Sequence, residues 1–269
     1  MALGLGTGLG KGGIIGSIPG VVTDNLVMKH MYPAGAVQPV SDGAAYFDGA
    51  GDYINTNATF QATFRDSFSI CMWIKPNDGQ PGSSEYLIGA RNSSSEDIMH
   101  FSLLTDGKLY LYLKSNNDAG ALTSSVIFSN GVQEWTHVAA TALKDEGESN
   151  GFKIYINGVL TSQANSSPVS DANWGAFTKD INLDLGAYNA ADSHSNSLDG
   201  YMCNAGIFSA VLTSSQIKSI MWKSYADLTT IESTSLISWY NLDEETNTSG
   251  ESGTGGVKDH HGSNHGTLE

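Results

Sequence analysis

Apolar and polar positions alternate along Lys108–Lys114, with Leu109, Leu111 and Leu113 on one face and Tyr110 and Tyr112 on the other. A period of two marks a half-buried β-strand. Phe152–Ile156 repeats the pattern, with Tyr155 between Ile154 and Ile156. Turn pairs punctuate these runs at Asp106-Gly107, Asn130-Gly131 and Asn157-Gly158. Such pairs tolerate the positive φ that type I′ turns need at both central positions. Hairpins are therefore predicted over Phe101–Lys114, Val126–Thr141 and Phe152–Gln163. Further strands are predicted at Ala44–Asp48, Asp52–Thr56, Ser67–Lys75, Glu85–Ala90, Ile98–Thr105, Ser124–Ser129, Glu134–Leu143, Val159–Gln163, Ile181–Gly186 and Tyr201–Phe208. Many short strands with turns between them predict an all-β protein, a jelly-roll sandwich of two antiparallel sheets.

One segment changes period. Over Leu212–Leu228, Ile217, Ile220, Met221 and Tyr225 fall on one helical face, and Thr213 with Gln216 fits a capping box. A short helix after the last main strand would cover one end of the sandwich. Leu236–Glu244 returns to alternation, followed by a Ser/Gly/Thr-rich loop.

At the other end, residues 1–22 are Gly-rich yet carry Leu3, Leu5, Leu9, Ile14, Ile15 and Ile18. Glycine at this density opposes an independent helix. A solvated tail would be poor in apolar residues. The pattern suits an arm that docks on a neighbouring subunit; an ordinary disordered terminus is the alternative. The domain reading is thus an arm over 1–22 and one sandwich over 23–269.

The chain's 269 residues suffice for a full core, and its net charge is −15 with only 15% charged residues. Clustered Lys and Arg are missing, so nucleic acid is not an expected partner. Nor is a membrane, since no apolar stretch is long enough to span one. The N-terminus lacks a basic segment followed by an unbroken apolar core, so no secretory signal is read there, and the chain is expected to stay in the cytoplasm or leave it without a cleaved signal. Cys71 and Cys203 sit in apolar runs and read as buried thiols; whether they pair is open.

Several segments resemble one family when taken in order. They are AYFDGAGDYINT (Ala45–Thr56), FSICMWIKP (Phe68–Pro76), EWTHVAAT (Glu134–Thr141), FKIYINGVL (Phe152–Leu160) and LDGYMCNAGIFSAVLTSSQIKSI (Leu198–Ile220). Together they are similar to the laminin-G-like subset of the concanavalin A-like lectin/glucanase superfamily. The resemblance implies two curved antiparallel sheets. Residues 235–269 resemble the family's first strand and loop, displaced to the end of the chain, and so read as a permuted strand completing the sandwich. The Gly-rich opening joined to such a domain resembles virion proteins of tailed bacteriophages, marine ones especially. That implies a capsid decoration or fibre-like protein, assembled in the host cytoplasm. Its partners would be other virion proteins, further copies of itself and host-surface glycans. A free-standing or secreted carbohydrate-binding module is the alternative.

Glucanases of this superfamily carry an E-x-D-x-x-E strand, which is missing here, and glycoside hydrolysis needs a carboxylate pair. No G-x-S-x-G elbow is present either, and His137 reads as a packed strand histidine. The chain is therefore expected not to be an enzyme. The resemblance implies calcium in loops at one sandwich edge. Asp48 and Asp52 flank a turn and, with Asp199, are the candidate ligands; Asp192 and Asp259 could approach them. Acidic turn residues also satisfy backbone donors, so the alternative stays open. His260, His261 and His265 form a second cluster, read as a polar loop. Tyr110, Tyr112 and Tyr155 are predicted to face outward together. They would form a sugar platform, cross-strand pairs or a subunit interface.

Overall fold

The computed structural model describes residues 38–92, 97–115, 117–123, 125–144, 151–161, 163–167, 182–191, 193–243 and 256–269. The proposed arm, with Leu3, Leu5, Leu9, Ile14, Ile15 and Ile18, lies outside the described residues, as does Asp192. The strands are β1 (Ala45–Asp48), β2 (Ile54–Asn55), β3 (Phe68–Pro76), β4 (Glu85–Arg91), β5 (Asp97–Leu103), β6 (Leu109–Ser115), β7 (Asn117–Thr123), β8 (Thr136–Ala142) and β9 (Phe152–Ile156). They continue with β10 (Val159–Leu160), β11 (Gln163–Ser167), β12 (Asp184–Leu185), β13 (Tyr188–Ala190), β14 (His194–Ser195), β15 (Asp199–Phe208), β16 (Leu236–Tyr240), β17 (Gly256–Val257) and β18 (Gly266–Leu268). Helix α1 is a single turn (Gln61–Phe64) and α2 spans Ser214–Ile220.

The strands form two sheets. A seven-stranded sheet runs β1-β15-β3-β8-β9-β10, with β16 also on β15. An eleven-stranded sheet runs β11-β7-β6-β5-β4-β12-β2-β18-β17, with β13 and β14 attached at β4. Pairing is antiparallel except that β13 lies parallel to β4. Between the sheets lies one core, to which Phe68, Ile70, Met72 and Ile74 of β3 contribute from one side and Leu109, Leu111 and Leu113 of β6 from the other.

The two sheets differ on their outer faces, and the difference is written in their strands. β3 and β8 are buried on both faces because α2 packs outside their sheet. A strand covered on both sides reads as a continuous apolar run. β6 alternates buried leucines with part-exposed Tyr110, Tyr112 and Lys114, so its outer face is left to solvent. Among the described residues no helix packs on that face.

α2 is held where its sequence predicts. Thr213 Oγ1 accepts from Gln216 N, and Gln216 Oε1 accepts from Thr213 N, the reciprocal capping box. Ser69 Oγ donates to Ala210 O at 2.7 Å and accepts from Leu212 N at 2.8 Å, tying the helix approach to β3. The helix is shorter than the predicted span. It ends at Ile220, and a second capping box between Ser224 and Asp227 starts a separate 3-10 turn (Tyr225–Asp227). Ile217, Ile220 and Met221 are buried as expected.

Two of the three predicted hairpins form, over Phe101–Lys114 and Phe152–Gln163, and one turn type and one hairpin need correction. Asn157 (φ 49°) and Gly158 (φ 71°) are both left-handed, as a type I′ turn requires. At Asp106-Gly107 only Gly107 takes positive φ, 77°, and the strands are joined through Leu104 N to Lys108 O instead. No hairpin forms at Asn130-Gly131. Ile127 N and Phe128 N both donate to Gly107 O, and Gly131 N donates to Asp78 Oδ1, so Ser125–Ser129 is a loop packed on neighbouring turns. The strand after β6 is β7 instead, which its small and polar residues did not announce.

The segment from residue 236 contributes to both sheets: β16 pairs with β15, and β18 pairs with β2. Cys71 and Cys203 are free thiols on adjacent strands, each pushed up to about 12 by burial.

Candidate functional site

Pairing registers carry an aromatic strip across the outer face of the eleven-stranded sheet. His100 of β5 stands opposite Tyr112 of β6 and Gly89 of β4, and Gly89 stands opposite Asp184 of β12. Directly paired residues share a face. Met99, Phe101 and Leu103 point into the core, so His100 and Ser102 point out. Tyr110 and Tyr112 lie 5.6 Å apart by ring centroid, and His100 stacks on Tyr112 at 5.2 Å. Tyr86 meets His100 edge-on at 4.9 Å and stacks on Tyr188 at 4.6 Å. Gly89 makes this close: a Cβ there would stand 2.9 Å from Tyr188 Cδ2 and 3.0 Å from His100 Cβ.

The strip continues past Gly89. Asp184 is wholly buried, and His194 Nδ1 lies 2.6 Å from its Oδ2. Tyr53 stacks flat on the His194 ring at 3.7 Å. Tyr53 is itself held by the chain end, its N and O exchanging hydrogen bonds with Glu269 O and N. From β2 to β6 the strip crosses five strands, roughly 19 Å at ordinary strand spacing. Its exposed parts are the half-buried tyrosine rings, whereas His100 and Asp184 are buried beneath them.

Its electrostatics are mild. Burial pushes His100 down to about 3, so the ring is neutral near pH 7 and its nitrogens act as one donor and one acceptor. Ser102 Oγ sits 3.3 Å from His100 Nδ1. Burial raises Tyr86 and Tyr188 above the usual phenol range, while the Arg91 charge pulls both down. Arg91 and Lys114 stand at the end of the strip away from Ser102.

His137 is a second buried histidine, edge-on to Trp73 at 5.3 Å on the other sheet, and is also pushed down to about 3. Both folded values lie below the unfolded 6.5, so the unfolded chain takes up protons first as pH falls. Stability is expected to fall between about pH 6.5 and 3, by up to about 1.4 kcal/mol per pH unit for each histidine. Urea denaturation across this range checks it: the His137→Gln variant should lose less stability on acidification than the parent.

The sequence-predicted sites fare differently. Tyr110 and Tyr112 come together on the strip. Tyr155 does not join them: it lies on the other sheet, 5% exposed, packed among Cys71, Ala139, Phe208 and Ile217 beneath α2. His100, Tyr86, Tyr188, Tyr53 and His194 were not foreseen. The alternation of Ile98–Leu103 would have placed His100 on the tyrosine face. Tyr188 and Tyr53 arrive through pairings remote in sequence, which leave no local signal.

The calcium expectation meets acids already engaged. Asp48 and Asp199 are paired in register, as expected for one corner. Asp48 Oδ1 accepts from Ala50 N, Asp52 Oδ2 from Asp48 N, and Asp199 Oδ1 from Asn77 Nδ2. Asp259 lies elsewhere, accepting four backbone N–H groups. His265 Nδ1 accepts from Asp259 N, and His261 meets Tyr225. Among the described residues no group of three or more His, Cys, Asp or Glu side chains is placed to hold a metal ion.

A laminin G family model, described as the concanavalin A-like lectin/glucanases superfamily, matches residues 48–218. Among solved structures, CBM40 of the Ruminococcus gnavus IT-sialidase is similar at 13% identity and TM-score 0.53, covering 67% of this chain and 97% of that one. The same module bound to alpha2,3 sialyllactose aligns at 14% identity and TM-score 0.51, covering 66% and 96%. A Bacteroides ovatus protein classed as carbohydrate-binding aligns at 18% identity and TM-score 0.54, covering 81% of this chain and 57% of that one. At these identities the likeness is one of fold. No curated protein matches the sequence.

Proposed function

The chain belongs to the concanavalin A-like lectin/glucanases superfamily, and from that premise we propose that it binds carbohydrate on the outer face of the eleven-stranded sheet. The carrying observation is the aromatic strip from Tyr53 to Tyr110 on a face that no described helix covers. Sugar rings present C–H faces that pack on aromatic faces, and hydroxyls that need donors and acceptors at the rim. The half-buried tyrosine rings supply the faces, and their phenols with the Arg91 and Lys114 cations supply the rim. The roughly 19 Å reach at ordinary strand spacing suits an oligosaccharide better than a single sugar.

The role is binding without turnover. Asp184 is engaged by His194 and Asn189 and is wholly buried, and the strip's strands lack the paired acids that glycoside hydrolysis uses. The similarity to carbohydrate-binding structures supports the reading, and the sialyllactose bound by one of them makes acidic glycans a test class beside neutral ones. Screening the full chain on a glycan array, with and without EDTA, tests it. Binding that survives EDTA is expected; no binding to any glycan contradicts it.

The finer reading is that the sandwich is displayed on a bacteriophage particle, attached by residues 1–22 to a capsid or tail protein. It is supported by the glycine spacing and the six apolar side chains of that segment. Deleting residues 1–22 should abolish incorporation into particles while leaving the melting temperature unchanged. Undiminished incorporation contradicts it.

A further inference from the structure

We propose a second carbohydrate-binding surface, for a neutral hydroxyl-rich glycan, on the outer face of the seven-stranded sheet at its β1 end. It goes beyond the strip just described and lies on the opposite side of the sandwich.

α2 covers only part of this sheet, over Cys71, Ala139, Tyr155 and Phe208. Toward β1 the strands carry a different row. Tyr46 stands opposite Tyr201, and Tyr201 opposite Lys75, so all three share one face. The two tyrosine rings are 4.8 Å apart and tilted by 43°, and Trp135 adds its indole 6.4 Å from Tyr201. Tyr46 is 50% exposed and Tyr201 37%, the most open tyrosines among the exposed large side chains. Phe47, next to Tyr46 on β1, faces the other way and is wholly buried, so the row is the solvent side of an otherwise packed edge.

The neighbouring row decides the occupant. Two residues along, Asp48 pairs with Asp199, and Asn77 Nδ2 donates to Asp199 Oδ1 at 2.7 Å. Asp48 and Asp199 each use Oδ1 within the fold, which leaves Oδ2 to accept a hydroxyl, so rings flanked by these carboxylates match a pyranose: C–H faces for the rings, hydroxyl donors for the carboxylates. Lys75 adds one positive charge to the row, but the two carboxylates, on a chain of net charge −15, outweigh it and oppose an acidic glycan, a nucleic acid or a second copy of this chain. A neutral glycan is the class that fits.

Stacked sheets lie about 10 Å apart. Sites on the two outer faces would let one chain bridge two glycan strands, raising avidity on a multivalent surface without new contacts.

Titration calorimetry of the full chain with cellohexaose, laminarihexaose and xylohexaose tests this, beside Tyr46→Leu/Tyr201→Leu and Tyr110→Ala/Tyr112→Ala variants. Leucine keeps apolar bulk on the sheet, so the first variant is expected to melt near the parent. The expected result is two equivalents bound per parent chain, with each variant losing one of them at least tenfold in affinity. One equivalent, lost only in the Tyr110/Tyr112 variant, overturns this second surface and leaves the first standing. One equivalent lost only in the Tyr46/Tyr201 variant supports it and removes the strip. No binding of the three probes overturns the neutral-glycan surface. A Tyr46/Tyr201 variant that changes sedimentation but not sugar binding overturns it too, marking the row as a contact between copies.

Discussion

Tyr110→Ala/Tyr112→Ala is expected to weaken glycan binding by about 30- to 100-fold with the sandwich intact. Each ring supplies stacking area on the strip and contacts His100, at 5.6 Å for Tyr110 and 5.2 Å for Tyr112. Aromatic contacts of this kind contribute about 0.5–1.5 kcal/mol each beyond buried area. Two rings with their lost area give roughly 2–3 kcal/mol, and each 1.4 kcal/mol is about tenfold in affinity. Fold stability should change little, because Leu109, Leu111 and Leu113 hold β6 from the other face. A parallel Tyr155→Phe change should leave binding unchanged, since that side chain lies under α2 on the other sheet. Immobilised-glycan binding curves of the three proteins check both statements.

Asp259→Ala has the largest expected effect on stability, about 3–4 kcal/mol, read by urea denaturation. Its carboxylate is 2% exposed and accepts N–H groups of Trp239, His261, Gly262 and Asn264 at 2.9–3.1 Å. Hydrogen bonds to a charged group contribute about 1.5–3 kcal/mol each, and the loop donors regain part of that from water. Trp239 N–H, inside a buried strand, cannot. Loss of this hub loosens the segment that carries β18 onto β2 and the Glu269 contact that holds Tyr53 on His194. The variant should therefore also blunt binding at the Tyr53 end of the strip. Asp259→Asn, which keeps one oxygen acceptor, should cost less. An alanine variant within about 0.5 kcal/mol of the parent, the range of ordinary surface substitutions, contradicts the role.

Much of the fold was legible because it is written locally. The period of two in Leu109–Leu113 and the Thr213–Gln216 box survive intact in β6 and α2. What failed depended on tertiary contacts. Asn130-Gly131 carries the chemistry of a hairpin turn, yet hydrogen bonds to Gly79 and Asp78 draw it into a loop–loop contact. Residues Asn117–Thr123 lack β-branched or aromatic weight apart from Thr123, and are a strand because β6 offers an open edge. Tyr155 shows the limit of alternation: period two tells that it faces away from the core between the sheets, but not that a helix remote in sequence covers that face. The candidate site was legible by half. Tyr110 and Tyr112 came from one strand's own pattern, whereas Tyr188 and Tyr53 reach the strip through β13 on β4 and β2 on β12.

Ligand bound on the outer face of the eleven-stranded sheet would lie against its aromatic rings. Chemical-shift mapping of tyrosine and histidine ring signals during glycan titration tests it most directly. Shifts are expected at Tyr86, His100, Tyr110, Tyr112 and Tyr188 together, with Tyr155 and His137 unmoved. Shifts confined to loop residues, with those five rings silent at saturation, would contradict it.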